Sequence, residues 1–239
     1  MKTSILVLSV VILSALAGSC YFNNVETISG NGKVVKQTRD VPGFSGLKVA
    51  TGIDAVITQG EHESLTVEAD ENLMDYIKTE VVDGKLKIYS DKNIHNAKSK
   101  KVTIAYKKLN TIDISSAGDV EGNNTLVTDN LDIEMSSAGD LTLALEADRL
   151  EISISSGGDA KLSGKVNTLK ADLSSAGDLN AYELEAKTGD ISVSSAGSAS
   201  VFITDEASFQ CSSAGSINYR GEPRLKNVST SSAGSVNRK

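Results

Sequence analysis

The tetrapeptide Ser-Ser-Ala-Gly, once as Ser-Ser-Gly-Gly, recurs seven times in the last 125 residues, starting at Ser115, Ser136, Ser155, Ser174, Ser194, Ser212 and Ser231. Successive copies start 18 to 21 residues apart. A unit that short cannot bury a core alone, so a repeat of this period marks a solenoid whose coils bury their apolar sides against one another. Aligned on the first Ser, the residue three before it reads Ile112, Ile133, Ile152, Ala171, Ile191, Phe209, Val228. The residue just before it reads Ile114, Met135, Ile154, Leu173, Val193, Cys211, Thr230, and the residue five after it Val120, Leu141, Ala160, Leu179, Ala199, Ile217, Val236. Asp113, Glu134, Ser153, Asp172 and Ser192 stand between the first two columns. That alternation has the period of a strand and not of a helix.

A strand, a Gly-containing corner and a second strand per repeat predict an all-β chain built as a single-stranded parallel β-helix, right-handed by the crossover rule. Coils one strand apart put the seven corners along a rod of about 29 Å. Gly118, Gly139, Gly158, Gly177, Gly197, Gly215 and Gly234 are read as structural turn residues that take backbone angles closed to other residues, with small neighbours that let coils approach. Four corners continue with Asp119, Asp140, Asp159 and Asp178, and three with Ser198, Ser216 and Ser235. The favoured reading is that these side chains cap the turn by bonding nearby backbone N–H groups. The alternative is a calcium ladder, since hard cations take several carboxylate oxygens. No cofactor is otherwise expected.

The chain opens with Lys2 and an apolar run over residues 5–16, the pattern of a secretory signal too short to span a membrane permanently. Ala17-Gly18-Ser19-Cys20 resembles a bacterial lipobox, which predicts a signal peptide over residues 1–19, lipidation at Cys20 and a tether over 20–29. Cleavage after Ala15-Leu16-Ala17 is the competing reading. Tyr21, rather than Asp, after the cysteine favours the outer membrane, with the surface and periplasmic faces both open. Cys211 falls in an inward column and is expected to be a small buried hydrophobe. The net charge of -7 becomes -8 without Lys2, which argues against a nucleic-acid partner. At 4% aromatic residues and no Trp, the chain lacks obvious platforms for stacking sugars or bases.

Residues 30–110 lack the tetrapeptide but carry short alternating runs, among them Leu47-Lys48-Val49, 53–58, Leu65-Thr66-Val67, 79–82, Leu86-Lys87-Ile88 and Val102-Thr103-Ile104. Asp83-Gly84 between two of them predicts a tight hairpin. Only residues 72–78 have any claim to a helical turn. Lys98, Lys100, Lys101, Lys107 and Lys108 are read as a solvated strand face or loop, with a patch for an anionic surface as the alternative. The domain boundaries expected are thus a strand-rich section over 30–110 and a β-helix over 111–239.

Three stretches carry a resemblance: Gly30-Asn31-Gly32; Arg39-Asp40-Val41-Pro42-Gly43-Phe44-Ser45-Gly46-Leu47-Lys48-Val49; and Val67-Glu68-Ala69-Asp70-Glu71-Asn72-Leu73. Followed by the corner coils, they resemble the "putative autotransporter adhesin head GIN domain" family, also catalogued as a domain of unknown function. The resemblance implies an all-β envelope protein ending in a β-helix, behind a lipoprotein or ordinary signal, with adhesion as the attached function.

Catalysis finds little support. The basic residues of the coils, such as Arg149, Lys161, Lys170 and Arg220, recur at no common offset, and His62 and His95 lie outside the coils. Asp140 and Asp159 are one coil apart, but their regular repetition points to a turn role rather than an acid–base pair. No catalytic residue and no enzymatic activity are expected. The expected function is that of a non-catalytic envelope lipoprotein, an adhesin or ligand-binding β-helix anchored through Cys20. A periplasmic structural or assembly role is the first alternative and a polysaccharide-active enzyme the second. Only Ser235-Val236-Asn237-Arg238-Lys239 follows the last corner, so open strand edges there are expected to be blocked by Arg238 and Lys239 or used for self-association or an envelope partner.

Overall fold

The computed structural model describes residues 26–239. The signal sequence, Cys20 and the first part of the tether lie outside the described residues. In chain order the first strands are β1 (Thr27–Ser29), β2 (Val34–Arg39), β3 (Gly46–Val49), β4 (Asp54–Gln59) and β5 (Ser64–Asp70). A single 3-10 turn, Glu71–Leu73, precedes β6 (Ile77–Val82), β7 (Lys85–Ser90), β8 (Asn93–His95) and β9 (Lys100–Tyr106). The repeats form β10 (Thr111–Ile114), β11 (Asp119–Gly122), β12 (Leu126–Met135), β13 (Asp140–Ile154), β14 (Asp159–Leu173), β15 (Asp178–Val193), β16 (Ser198–Cys211), β17 (Ser216–Arg220), β18 (Arg224–Thr230) and β19 (Ser235–Arg238).

The expected parallel β-helix is what forms. The aligned columns are register columns: Ile112 pairs with Ile133, Ile133 with Ile152, then Ala171, Ile191, Phe209 and Val228 in turn, all parallel. Burial follows the alternation, since Ile112, Ile133, Ile152, Ala171, Ile191 and Phe209 are wholly buried. Cys211 is buried as expected, and its thiol is free.

The boundary at residue 110 is one of sequence pattern only. β10 pairs in parallel with β3, which pairs in turn with β7, and β11 pairs with β4, which pairs with β9. Two further rungs of the same stack therefore precede the first Ser-Ser-Ala-Gly, and a single apolar cluster runs from Leu47 and Val49 to Phe209 and Ile217. The second of these rungs has a corner of its own. Thr51 and Gly52 are left-handed (φ 57 and 64), and the Gly52 N–H donates to the Ser116 carbonyl at 2.9 Å. Its glycine stands one place earlier than in the tetrapeptide, so the motif does not show it. The tether also ends in structure, because β1 pairs in parallel with β8.

Beyond these rungs the pairing turns antiparallel: β6 on β7, β5 on β9, and β2 on β5. Asp83 and Gly84 are both left-handed (φ 53 and 73), the conformation that matches hairpin twist. At this end sits Asp70, fully buried. Its Oδ2 accepts the Gly32 N–H at 2.7 Å, and its Oδ1 accepts those of Lys98 and Ser99 at 3.0 and 3.1 Å. A Cβ on Gly30 would lie 2.1 Å from Asp70 Oδ2, so the Gly30-Asn31-Gly32 loop wraps the carboxylate at a distance only glycine permits. Asn72 ties the same loop through Asn31 N–H and the Ser29 carbonyl. Arg39 donates to the Ile77 and Met74 carbonyls at 2.7 and 2.9 Å, fastening β2 to the start of β6. The residues that carried the resemblance are thus the fastenings of this end of the rod.

Candidate functional site: the corner edge and its groove

Six of the seven tetrapeptides close a tight turn by a backbone bond, with the Gly118 N–H donating to Ser115 O at 3.1 Å and the same bond in the corners from Ser155 on; the corner at Ser136 bends the same way without it. The two central residues are left-handed, Ser116 and Ala117 at φ 52 and 58, and their counterparts through Ser232 and Ala233 at 47 and 63. The positive φ falls on Ser and Ala, not on the corner glycines as the sequence suggested; Gly157, the one Gly in the Ala place, has φ 73. The glycines are there for closeness. A Cβ on Gly118 would stand 2.9 Å from the Val49 carbonyl oxygen, and one on Gly177 2.8 Å from that of Ile154. Left-handed Ser and Ala cost about 1 kcal/mol or more each. The stack repays this by continuing the ladder through the turn, since Ala117 N–H donates to Ser137 O at 2.9 Å and Ala138 N–H to Ser156 O at 3.1 Å.

A groove of about 710 Å³ runs along the rod beside these corners. The first serines Ser115, Ser136, Ser155, Ser174, Ser194 and Ser212 line it throughout, with the outward row that includes Lys48, Asp113, Glu134, Asp172, Gln210 and Ser229. The Ser155 hydroxyl reaches the Met135 carbonyl at 3.5 Å. The other first-serine hydroxyls have no partner among the described residues, so each coil offers one donor and acceptor to the groove. Its charge is uneven: Lys48, Asp113, Glu134 and Asp172 lie toward the antiparallel end, whereas Ser192, Gln210 and Ser229 are neutral.

Across the corner, Asp119, Asp140, Asp159 and Asp178 stand in register on neighbouring strands. The structure adds Asp54, paired with Asp119, and closes the row with Lys101, paired with Asp54. The missed member lies in the rung with the shifted glycine. The turns close through backbone bonds, and no side-chain cap from these carboxylates occurs among the described residues. Neither do three His, Cys, Asp or Glu side chains converge there as a metal-ligand group. Burial first, then the neighbouring Asp54, Asp140 and Glu121, hold the Asp119 carboxyl above the ordinary carboxylate value. Folding thus raises its proton affinity, so ionisation costs stability. The cost is absent below the unfolded-chain value of ~4 and complete above the raised native value. Asp119→Asn should raise the urea midpoint at pH 7 and leave it unchanged at pH 3; a variant less stable at pH 7 would show that the carboxylate is favourably held instead.

The remaining sequence candidates do not join the groove. His62 is exposed in the loop between β4 and β5, and His95 is exposed on β8. Lys100 and Lys101 lie on β9, with Lys98, Lys107 and Lys108 in the flanking segments. Asp140 and Asp159 belong to the acidic row, with no feature that sets one apart as an acid.

A family model described as "putative auto-transporter adhesin, head GIN domain" matches residues 43–223. Among solved structures, a "putative adhesin" from Bacteroides fragilis NCTC 9343 is 27% identical, with a TM-score of 0.82 over 89% of this chain and 100% of that one. A "putative lipid binding protein" from Parabacteroides distasonis ATCC 8503 is 22% identical, with a TM-score of 0.73 over 90% of this chain and 100% of that one. A "putative adhesin" from Parabacteroides merdae ATCC 43184 is 20% identical, with a TM-score of 0.73, 90% of this chain and 99% of that one being covered. At their identities the last two show the shared fold. No curated protein matches the chain.

Proposed function

The chain belongs to the auto-transporter adhesin head GIN domain family, and on that premise we propose that it is a non-catalytic binding protein of the bacterial envelope that engages its ligand along the side of the rod. The observation that carries the reading is the groove: a polar channel spanning seven coils, with an unpartnered hydroxyl in nearly every one. An extended ligand lying along the axis would meet the same groups at each ~4.8 Å coil step. Catalysis would call instead for one or two side chains set apart by their surroundings. Anchoring through Cys20 to the outer membrane, with the rod facing outward, completes the proposal.

Protease treatment of intact and lysed cells, followed with an antibody against the coils, tests the orientation. Cleavage on intact cells is expected. Protection until lysis would overturn the adhesin reading and leave a periplasmic structural role in its place.

A further inference from the structure

The face that follows each corner changes chemistry along the rod. Its first outward row is Asp54, Asp119, Asp140, Asp159 and Asp178, and then, in unbroken register, Ser198, Ser216 and Ser235. The next outward row of the last coils reads Asn180, Ser200, Asn218 and Asn237, again in register. At the next outward place Tyr182 follows Ala181, which pairs with Val201; the register then shifts, so that Phe202 pairs with Glu185 on one side and with Arg220 on the other. Carboxylates give way to hydroxyls where the aromatics begin.

This chain has six Tyr, four Phe and no Trp. Tyr182 and Phe202 nonetheless point outward on adjacent strands and are half-buried rather than packed in the core. The Arg220 guanidinium reaches back across one coil and lies over the Tyr182 ring, 4.3 Å from its centroid. A residue with a side chain at 221 would crowd this spot, since a Cβ on Gly221 would come within 3.4 Å of the Phe202 ring and 2.0 Å of the Ile203 carbonyl oxygen. Within the polar rows the one side-chain hydrogen bond among the described residues is a long contact from Asn218 Nδ2 to Ser216 Oγ, 3.4 Å. The amides and hydroxyls are thus largely free to bond something else.

We propose that this face of the last coils is a binding platform for a neutral carbohydrate chain, with sugar rings stacked on Tyr182 and Phe202 and their hydroxyls bonded by Asn180, Ser200 and Asn218. The proposal rests on the binding role argued above and adds a second surface to it, since none of these residues lines the groove. Amides and hydroxyls each donate and accept, which suits ligands made of hydroxyl groups. Aromatic faces take the apolar side of a sugar ring at small entropic cost. Arg220 stacked on Tyr182 widens the flat surface. With no carboxylate beyond Asp178 in the first row, cations find few ligands, and the single arginine is too little charge for a nucleic acid. The sequence showed few aromatics and no obvious stacking platform; the fold brings Tyr182 and Phe202, twenty residues apart, onto adjacent strands, with Arg220 over the first and paired with the second.

The test measures binding of the purified full chain to immobilised cello-, xylo-, manno- and galacto-oligosaccharides, with polygalacturonate as the acidic control. At least one neutral series should be retained. Phe202→Ala and Arg220→Ala should each weaken it roughly tenfold. Phe202→Tyr should preserve it, and Asp140→Asn, in the acidic half, should leave it unchanged. Retention of no neutral series, retention of polygalacturonate alone, or binding unmoved by both Phe202→Ala and Arg220→Ala in variants whose thermal melts match the parent would overturn the proposal. Protection of the rod on intact cells would overturn the surface reading without altering this result, so the two fail separately.

Discussion

Asp70→Ala should lower the unfolding free energy by about 3–5 kcal/mol, the largest loss expected from any single polar side chain of the described residues. The carboxylate is fully buried and accepts three backbone N–H groups, from Gly32, Lys98 and Ser99. Alanine leaves all three unsatisfied, and each buried orphan donor costs about 1–3 kcal/mol. It also frees the Gly30–Gly32 loop from the start of β9. Asp70→Asn should lie between the two, because its Oδ1 can still serve Lys98 and Ser99 while its NH₂ would face the Gly32 donor. Urea unfolding followed by far-UV circular dichroism gives the numbers. A loss below about 1 kcal/mol for the alanine variant would mean that water reaches these groups and that the carboxylate is not a fastening.

The second large effect separates the two halves of Ala-Gly within one corner. Gly177→Ala should destabilise by about 2–3 kcal/mol, because its Cβ would stand 2.8 Å from both Cγ2 and the carbonyl oxygen of Ile154. That oxygen cannot retreat freely, since it accepts the Ser174 N–H at 3.0 Å. Ala176→Gly should instead stabilise by about 0.5–1 kcal/mol, because Ala176 sits at φ 63 and glycine relieves that strain at the cost of some unfolded-chain entropy. The third corner already carries this exchange as Gly157, at φ 73. Thermal or urea melts of the two variants should move in opposite directions. If both lose stability, the left-handed alanine contributes packing that the argument from φ omits.

The coils were legible because their periodicity is local: two apolar residues, a corner and an apolar residue five places on repeat within a single stretch of chain. The rung at Thr51-Gly52 was not, because one shifted glycine hides a corner whose partners are supplied by Ile88, Ser115 and Ser116. The corner glycines show a different limit. Sequence identifies a position that accepts only glycine, but dihedral freedom and close approach leave the same letter, and only the distance to the neighbouring coil tells them apart. Asp70 reads as one more exposed acid in Glu68-Ala69-Asp70-Glu71 until the loop from Gly30 folds over it. Tyr182, Phe202 and Arg220 are separated by about a coil each, so their proximity exists only after stacking. Outward positions have no apolar pattern to betray them, and the site is written in those positions.

The register columns have one more implication. Inward residues and backbone bonds carry most of the joining of coil to coil, and the outward rows add side-chain contacts at a few places, such as Lys170 on Glu151, Asn167 on Asp148 and Arg220 on Tyr182. A change at Ser200 or Asn218 therefore leaves the neighbouring rungs paired as before, and so does a change at Asp140 or Thr142. Where no such contact crosses the coils, the scaffold and its chemistry are separable, and a rung can be rewritten at its outward places. The acidic and neutral halves of this rod are two texts set on the same lines, and a new specificity needs only new outward letters.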